Sequence, residues 1–383
     1  MTSEKPSVIS IGYGRHFFDN SNGERRRMQL CAKECNSLHM IIFTLKKDGL
    51  EYQESQEGFH LCPTNSSTRL AMVFDAYRIV KKIIKSNNKK YIVTTQDPFG
   101  AGLVGLFLQK KLGVHLTVQE HADAFSGSFW KRESIKNQLL YILGKYILRQ
   151  ADTVRVVSDR IVEAVKKIGV KANITKLPVA IDVDKFTQIE CQKTDRFFGE
   201  DTFQFLSVAR FVPQKNLSLM IESFSKAYKK NDRIRLLLVG EGPDKDLIEA
   251  EIVKNFSTQN LSATPIKIIG WSENIPCLMR QSDAYLLTSN YEGWGRVMIE
   301  AMISSLPVVT TDVGCVGEVV LDRQHGLVVP VEDKDSLVNA IATIAGDKDL
   351  HNKIKSNLKN IKTQDIVGTD LNNYGVNWVR SLS

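Results

Sequence analysis

The chain has 383 residues, 43% of them hydrophobic and 25% charged, with a net charge of +8. That length suits two domains that each bury a core, and the composition is ordinary for a globular protein. No apolar run reaches the length of a membrane span, and the start MTSEKPSVISIG lacks the basic and apolar regions of a secretory leader, so a cytoplasmic protein is expected.

The charge is unevenly spread. Residues 1–180 hold 28 Lys and Arg against 16 Asp and Glu, and the remainder 23 against 27. A basic half suggests an anionic partner. No nucleic-acid-binding motif is present, so an anionic membrane surface or a lipid-phosphate acceptor is the expected partner. The six cysteines (31, 35, 62, 191, 277 and 315) show no C-x-x-C spacing and read as reduced, structural thiols.

In chain order, residues 7–12 read as a strand followed by GYGRHFFDNSNGERRRM. Gly12 and Gly14 begin a dinucleotide fingerprint whose third glycine is missing. Asn22-Gly23-Glu24-Arg25 precedes an amphipathic helix, and Arg25, Arg26 and Arg27 read as its exposed face. A strand at 40–45 is followed by a polar loop, a helix at about 68–85, a strand from Tyr91, and an apolar helix to Leu112. Strands alternating with helices at this rhythm predict a parallel sheet covered on both faces. The strand at 115–118 runs into Gln-Glu-His-Ala-Asp, and His121 sits where open α/β sheets place ligands.

Residues 125–132, FSGSFWKR, set Phe125, Phe129 and Trp130 beside Lys131 and Arg132. Exposed aromatics next to basic residues suit an anionic membrane interface. The helix at 135–149 is apolar at helical spacing and is expected to pack on the sheet. A strand at 153–157 and a helix at 159–168 close a first domain (1–180), and residues 177–186 read as a linker. The Asp182-x-Asp184 spacing recurs at 244/246, 333/335 and 347/349, so it is read as chance and no metal site is expected.

The second domain (181–360) opens with a strand at 203–209, and Arg210 and Lys215 occupy the loop after it. Arg offers planar two-pronged contacts to phosphate and Lys a mobile point charge. A strand at 234–239 turns sharply through Gly240-Glu241-Gly242-Pro243, and a strand at 266–269 leads into the loop with Ile275-Pro276. The chain is organised around AYLLTSNYEGWGRVMIEAMISSLPVVTTDVG, from Ala284. It reads as a strand, a turn through Glu292-Gly293-Trp294-Gly295, a helix from Arg296, and a second strand at 306–310. The helix start offers unpaired N–H groups and a positive dipole end, a ready anion site. Glu292 precedes it and Glu300 lies inside it, seven residues intervening.

Two glutamates so spaced in EGWGRVMIEAM, before a Pro-Val-Val strand, resemble the signature of the retaining glycosyltransferases of family four (glycosyl transferases group 1). Trp294 stands where most members carry Phe, and Ser305 where they carry Gly. The resemblance implies an α/β chain with the GT-B fold, two Rossmann-like βαβ domains facing each other across a deep cleft, and a last segment (361–383) crossing back to the first domain with Trp378 as its anchor. It implies transfer of a hexose-type sugar from a nucleoside-diphosphate sugar to a glycan or lipid-linked acceptor in cell-surface polysaccharide or glycolipid synthesis, at the inner face of the membrane. No cofactor or metal is expected.

By the same resemblance His121 contacts the donor sugar, Arg210 and Lys215 bind the diphosphate, and Glu292 holds sugar hydroxyls. Gly23, Gly240, Gly242, Gly293, Trp294, Gly295, Arg296 and Val297 line the donor, Ile275 belongs to the nucleobase segment, and Glu300 binds ribose. A non-catalytic partner subunit of the same fold and a sugar-nucleotide epimerase remain open alternatives.

Overall fold

The apolar run at 7–12 forms a strand, β1 (Ser7–Gly12), every residue of which is buried. Burial on both faces is what a parallel sheet flanked by helices requires. The computed structural model describes residues 5–55, 58–86, 89–191, 196–258, 260–362, 366 and 371–383. The first four residues and parts of 361–370, which entered the readings of the chain start and of the final segment, lie outside the described residues. The chain divides into two compact units, Met1–Ala180 with Thr369–Ser383, and Ile181–Gly368.

In the first unit β1 joins β2 (Ser37–Ile42), β3 (Gln53–Glu54), β4 (Phe59–Pro63), β5 (Tyr91–Thr95), β6 (His115–Glu120), β7 (Thr153–Val156) and β8 (Asn173–Lys176). The sheet order is β3-β4-β2-β1-β5-β6-β7-β8, parallel apart from the β3–β4 edge. Its helices are α1 (Gly23–Lys33), α2 (Ala71–Ser86), α3 (Gly100–Leu112), α4 (Phe129–Arg132), α5 (Ile135–Gln150) and α6 (Asp159–Lys167).

Three local expectations need correction. The polar loop after β2 contains the β3–β4 edge, where Phe59 and Leu61 are buried in the α1 core. β8 is an additional strand that the sequence pattern does not signal, because an edge strand of Asn, Ile, Thr and Lys carries little apolar signal. Arg25 is not on an exposed face: it is 9% exposed and donates to the Phe17 carbonyl at 2.7 Å and to Gln53 Oε1 at 2.8 Å.

The second unit is built on β9 (Phe203–Val208), β10 (Ile234–Val239), β11 (Ile266–Ile269), β12 (Ala284–Leu287), β13 (Val308–Thr311) and β14 (Gly326–Val329). All pairings are parallel, and the order is β11-β10-β9-β12-β13-β14. The order therefore reverses between β9 and β12, and open α/β sheets bind ligands at the carboxyl ends of strands at such a reversal. The helices are α7 (Asp184–Thr187), α8 (Leu217–Tyr228), α9 (Lys245–Asn255), α10 (Ile275–Arg280), α11 (Arg296–Ile303), α12 (Lys334–Gly346) and α13 (Lys348–Asn360).

The last helix, α14 (Leu371–Arg380), belongs to the first unit. Tyr374 and Trp378 are buried in a core with Met28, Cys31, Leu38 and Phe59. A Cβ on Gly375 would lie 2.6 Å from the Leu30 carbonyl oxygen, so only glycine lets α14 approach α1 this closely.

The cysteine reading is corrected for one pair. Cys191 and Cys277, 86 residues apart in sequence, form a disulfide, whereas Cys31, Cys35, Cys62 and Cys315 are free and buried. The Arg280 guanidinium donates to the carbonyls of Phe186, Thr187 and Ile189 and so holds that segment against the helix that carries Cys277. Sequence spacing holds no trace of that contact. Among the described residues no helix is long and apolar enough to cross a membrane.

Candidate active site

β9 delivers Arg210 and Lys215 into the loop before α8. Arg210 is exposed, and Phe211 behind it is buried. Asn216 takes a left-handed φ of 45° and caps α8 by accepting from Leu219 N, a conformation asparagine tolerates well. The loop after β12 is laced to this one. Thr288 Oγ1 donates to the carbonyls of Lys215 and Asn216 at 3.0 Å, Asn216 Nδ2 donates to Asn290 Oδ1 at 2.9 Å, and Asn290 N donates to the Gln214 carbonyl at 2.8 Å.

These ties bring Lys215 Nζ onto Glu292 Oε1 as an ion pair, across 77 residues of chain. Ser289 Oγ donates to the same oxygen at 2.7 Å. Both bonds converge on Oε1, and Glu292 is 8% exposed. The pair stands where the strand order reverses.

Gly293, Trp294 and Gly295 are buried and carry the chain into α11. Gly295 has φ 79° and caps the helix without a side chain, so the cap residue itself offers no acceptor to the N–H groups of the first turn. Gly314 is required behind this turn, because a Cβ there would meet the Trp294 carbonyl oxygen at 2.6 Å. The Trp294 indole N–H is buried with no hydrogen-bond partner. Glu300 is 9% exposed, and Arg296 Nε lies 3.0 Å from its Oε1. Burial raises the Glu300 carboxyl above its ordinary range, opposed by Arg296 and Lys185.

Gly240 and Gly242 are held to glycine by the protein's own backbone. A Cβ on Gly240 would lie 1.9 Å from the Ala209 carbonyl oxygen, and one on Gly242 would lie 2.2 Å from that of Phe211. The close approach they permit is to the protein's own backbone, which steadies the loop bearing Arg210. Ile275, half-buried, is the first residue of α10.

The remaining candidates belong to the first unit. His121 follows β6 and is half-buried. Gln119 Oε1 lies 2.7 Å from His121 Nε2 and accepts from buried Arg155 at 2.6 Å, while Gln119 Nε2 donates to Thr94 at 2.8 Å. A guanidinium only donates, so the Gln119 atom facing it is oxygen, and His121 Nε2 must carry the proton of its bond. The Nδ1 of His121 is then an acceptor. Burial first, then Arg155 and Arg27, holds the imidazole down to about 3, so it is neutral near pH 7. Tyr374 on α14 and the Leu177 carbonyl hold the other end of Arg155.

Glu120, missed in the sequence reading, is fully buried, and its Oε1 accepts from Ala122 N and Ala124 N. Its Oε2 is buried without a partner, and burial pushes its carboxyl up to about 7. Gly23 opens α1, but the Asn22 side chain accepts from Glu24 N at 2.8 Å and Arg25 N at 3.4 Å and so occupies that helix start. In residues 125–132, Phe125 is 6% exposed rather than exposed, and Trp130 is half-buried and stacked on Phe99 with centroids 4.9 Å apart.

The second unit thus gathers Lys215, Glu292, Gly293, Trp294, Gly295, Arg296, Val297 and Glu300 around one turn, with Arg210 on the adjoining loop. Among the described residues no group of three or more His, Cys, Asp or Glu is placed to hold a metal ion.

Comparison with known proteins agrees with this architecture. Residues 189–361 match the family model of the glycosyl transferases group 1, and residues 27–185 that of glycosyltransferase family 4. An uncharacterized glycosyltransferase of Methanocaldococcus jannaschii is 28% identical over 295 residues, 76% of this chain and 75% of the relative. The UDP-Gal:alpha-D-GlcNAc-diphosphoundecaprenol alpha-1,3-galactosyltransferase of Escherichia coli is 24% identical over 297 residues, 74% of this chain and 72% of the relative. Among solved structures, a sucrose-phosphate synthase from Thermosynechococcus elongatus has a TM-score of 0.77 at 19% identity, covering 98% of each chain. Anabaena HepE in complex with UDP and glucose has a TM-score of 0.73 at 17% identity, covering 98% of this chain and 99% of that one. With both units matched in turn, and with GT-B glycosyltransferases as its structural neighbours, the chain belongs to the family-four glycosyltransferases (glycosyl transferases group 1), enzymes of the GT-B fold that use nucleotide sugars.

Proposed function

We propose that this enzyme moves a hexose from a nucleoside-diphosphate sugar to a glycan or lipid-linked acceptor, with retention of anomeric configuration, in the synthesis of a cell-surface polysaccharide or glycolipid. The observation that carries the reading is the meeting of Lys215 with Glu292 at the strand-order reversal, beside the uncapped start of α11.

Departure of a nucleoside diphosphate develops negative charge on its phosphates. Fixed cations and helix N–H groups stabilise that charge without reorganising in the transition state. Arg210, Lys215 and the N–H groups from Gly293 to Val297 take this role. Glu292 uses Oε1 to hold Lys215 and Ser289, which leaves Oε2 to accept from donor sugar hydroxyls. Glu300 binds the ribose hydroxyls, and Ile275 lies in the segment that holds the base. His121, neutral and with Nδ1 as acceptor, receives a hydroxyl of the sugar. Attack comes from the face the phosphate leaves, and a departing phosphate oxygen takes the acceptor proton, so no carboxylate nucleophile is assigned. The reading uses no metal or cofactor. The basic first half supports an acceptor side that works at an anionic lipid surface on the cytoplasmic face of a membrane.

UDP is the first nucleotide to test, since the E. coli relative is named for UDP-Gal and Anabaena HepE was solved with UDP and glucose. The experiment is a thermal-shift panel of UDP-, GDP-, ADP- and dTDP-sugars on wild type and Glu300→Ala, with and without a polyprenyl-diphosphate sugar. A donor at a hundred times its dissociation constant stabilises the folded state by about 2.7 kcal/mol. One nucleotide class raising the melting point, with the shift diminished in the variant, is the expected result. No shift with any of them would favour the non-catalytic subunit.

A further inference from the structure

Helix α5 carries apolar residues on both its inner and its outer side, yet only the inner side is covered. Gly144, Ile147 and Leu148 are buried on the inner side. The packing there is tight, since a Cβ on Gly144 would lie 2.9 Å from atoms of both Phe99 and Phe125. On the outer side Ile135, Leu139, Ile142 and Tyr146 are 76%, 64%, 66% and 48% exposed. At 3.6 residues per turn these four fall within about 60° of one another and form a stripe about 17 Å long. The expectation that this helix simply packs on the sheet thus holds for one face only. A contiguous exposed apolar row marks an interaction surface.

The charges around the stripe indicate what covers it. Lys136 and Lys145 project about a quarter turn to either side of it. Lys131 and Arg132 precede it, and Lys110 on α3 donates to the Tyr146 hydroxyl at 3.1 Å. Phe107, one turn before Lys110, is 43% exposed. From residue 129 to 150 the chain holds five basic residues and one acidic, Glu133. Apolar side chains flanked by long cationic ones fit the boundary between acyl chains and anionic headgroups, with the lysines reaching up to the phosphates. A second copy of the chain meeting this face across a two-fold axis would set the same lysines against one another.

We infer that the outer face of α5 docks on an anionic lipid bilayer through Ile135, Leu139, Ile142 and Tyr146, with Lys136 and Lys145 on the headgroups. The inference rests on the lipid-surface part of the function proposed above and on none of its donor chemistry. It moves the contact from residues 125–132, where Phe125 is buried and Trp130 stacks on Phe99, to the neighbouring helix.

The test is sedimentation of full-length protein with phosphatidylcholine vesicles, with and without phosphatidylglycerol, alongside light scattering of the protein alone. Three variants are compared with wild type: Leu139→Ser with Ile142→Ser, Lys136→Gln with Lys145→Gln, and Phe129→Ser with Trp130→Ser. The first is expected to weaken binding to the anionic vesicles by at least tenfold with an unchanged melting curve, because its side chains are already solvated. The second is expected to weaken it by about fivefold per lysine on anionic vesicles only.

If the stripe variant binds as wild type does while the Phe129/Trp130 variant fails, this inference is overturned and the lipid-surface reading stands. If wild type ignores both kinds of vesicle, both fall. Concentration-dependent self-association that the stripe variant abolishes would assign the face to a second copy instead and overturn the inference.

Discussion

Each unit holds a buried glutamate at or after the carboxyl end of a sheet strand, and each has a helix that opens at a glycine, yet the polar groups have been left in different states. In the second unit Glu292 has the Lys215 ammonium against it, and α11 starts behind Gly295, a cap residue with no side chain to take its N–H groups. In the first unit Glu120 has two backbone N–H groups and no ion pair, and α1 starts behind Asn22, whose side chain takes two N–H groups. A helix dipole is common to both starts, so it is not what distinguishes them. The cap residue decides whether a helix start is open to an anion. At Glu120, with no cation against it, burial raises the carboxyl to about 7.

The comparison breaks first at the cations. Arg210→Ala and Lys215→Ala should each lower kcat/KM by about 10²- to 10³-fold, the size expected for removing one preorganised charge from the leaving group. The two should differ in stability. Lys215→Ala strands Glu292 and should lower unfolding free energy by about 3 kcal/mol, whereas Arg210 is exposed and its loss should leave the melting point unchanged. A near-normal rate for either variant would remove that residue from the site.

Glu120→Gln comes next. The carboxyl is raised to about 7 in the folded chain, so the protonated form is the one the fold favours. Its contribution is fully present below about pH 4.5 and is lost as pH rises through 7. The glutamine variant, neutral throughout, should be more stable than wild type by up to about 3 kcal/mol at pH 8, and the difference should close near pH 4.5. Parallel melting curves across that range would place the charge elsewhere.

A smaller effect follows from making one helix start resemble the other. Gly295→Asn supplies the acceptor that α1 has, in a left-handed conformation asparagine tolerates, although the Met298 methyl must shift to admit it. Donor affinity should fall about tenfold, the scale of one charge-assisted hydrogen bond. The reverse change, Asn22→Gly, should alter stability by only about a few tenths of a kcal/mol and leave donor affinity as it is. Tighter donor binding in that variant would show that α1 takes part after all.

Local signals made the centre of the site legible. The strand at 284–287, the turn through Gly293 and Gly295, and the helix from Arg296 all follow from apolar runs and turn residues within one short stretch. Arg210 and Lys215 follow a strand in a domain of alternating strands and helices, and the family resemblance singled them out among the many surface charges. Glu120 was passed over because nothing in its neighbours on the chain announces that its surroundings are dry. The outer stripe of α5 was hidden for a related reason: an apolar residue reads the same whether it faces a core or water.

The amino-acid sequence by itself determined the α/β class, the family-four signature and which residues were candidates, since those depend on side-chain type and on contacts within a turn or two. The tertiary structure alone decided that Lys215 meets Glu292, because that pairing needs β9 beside β12 in the sheet. It also decided that Cys191 bonds to Cys277, that Gln119 and Tyr374 accept from the two Nη atoms of the Arg155 guanidinium, and that Gly240 and Gly242 pack against the backbone of the Arg210 loop. Each of these joins segments far apart along the chain, and strand order, which brings them together, is set by the packing of the whole unit rather than by any stretch of it.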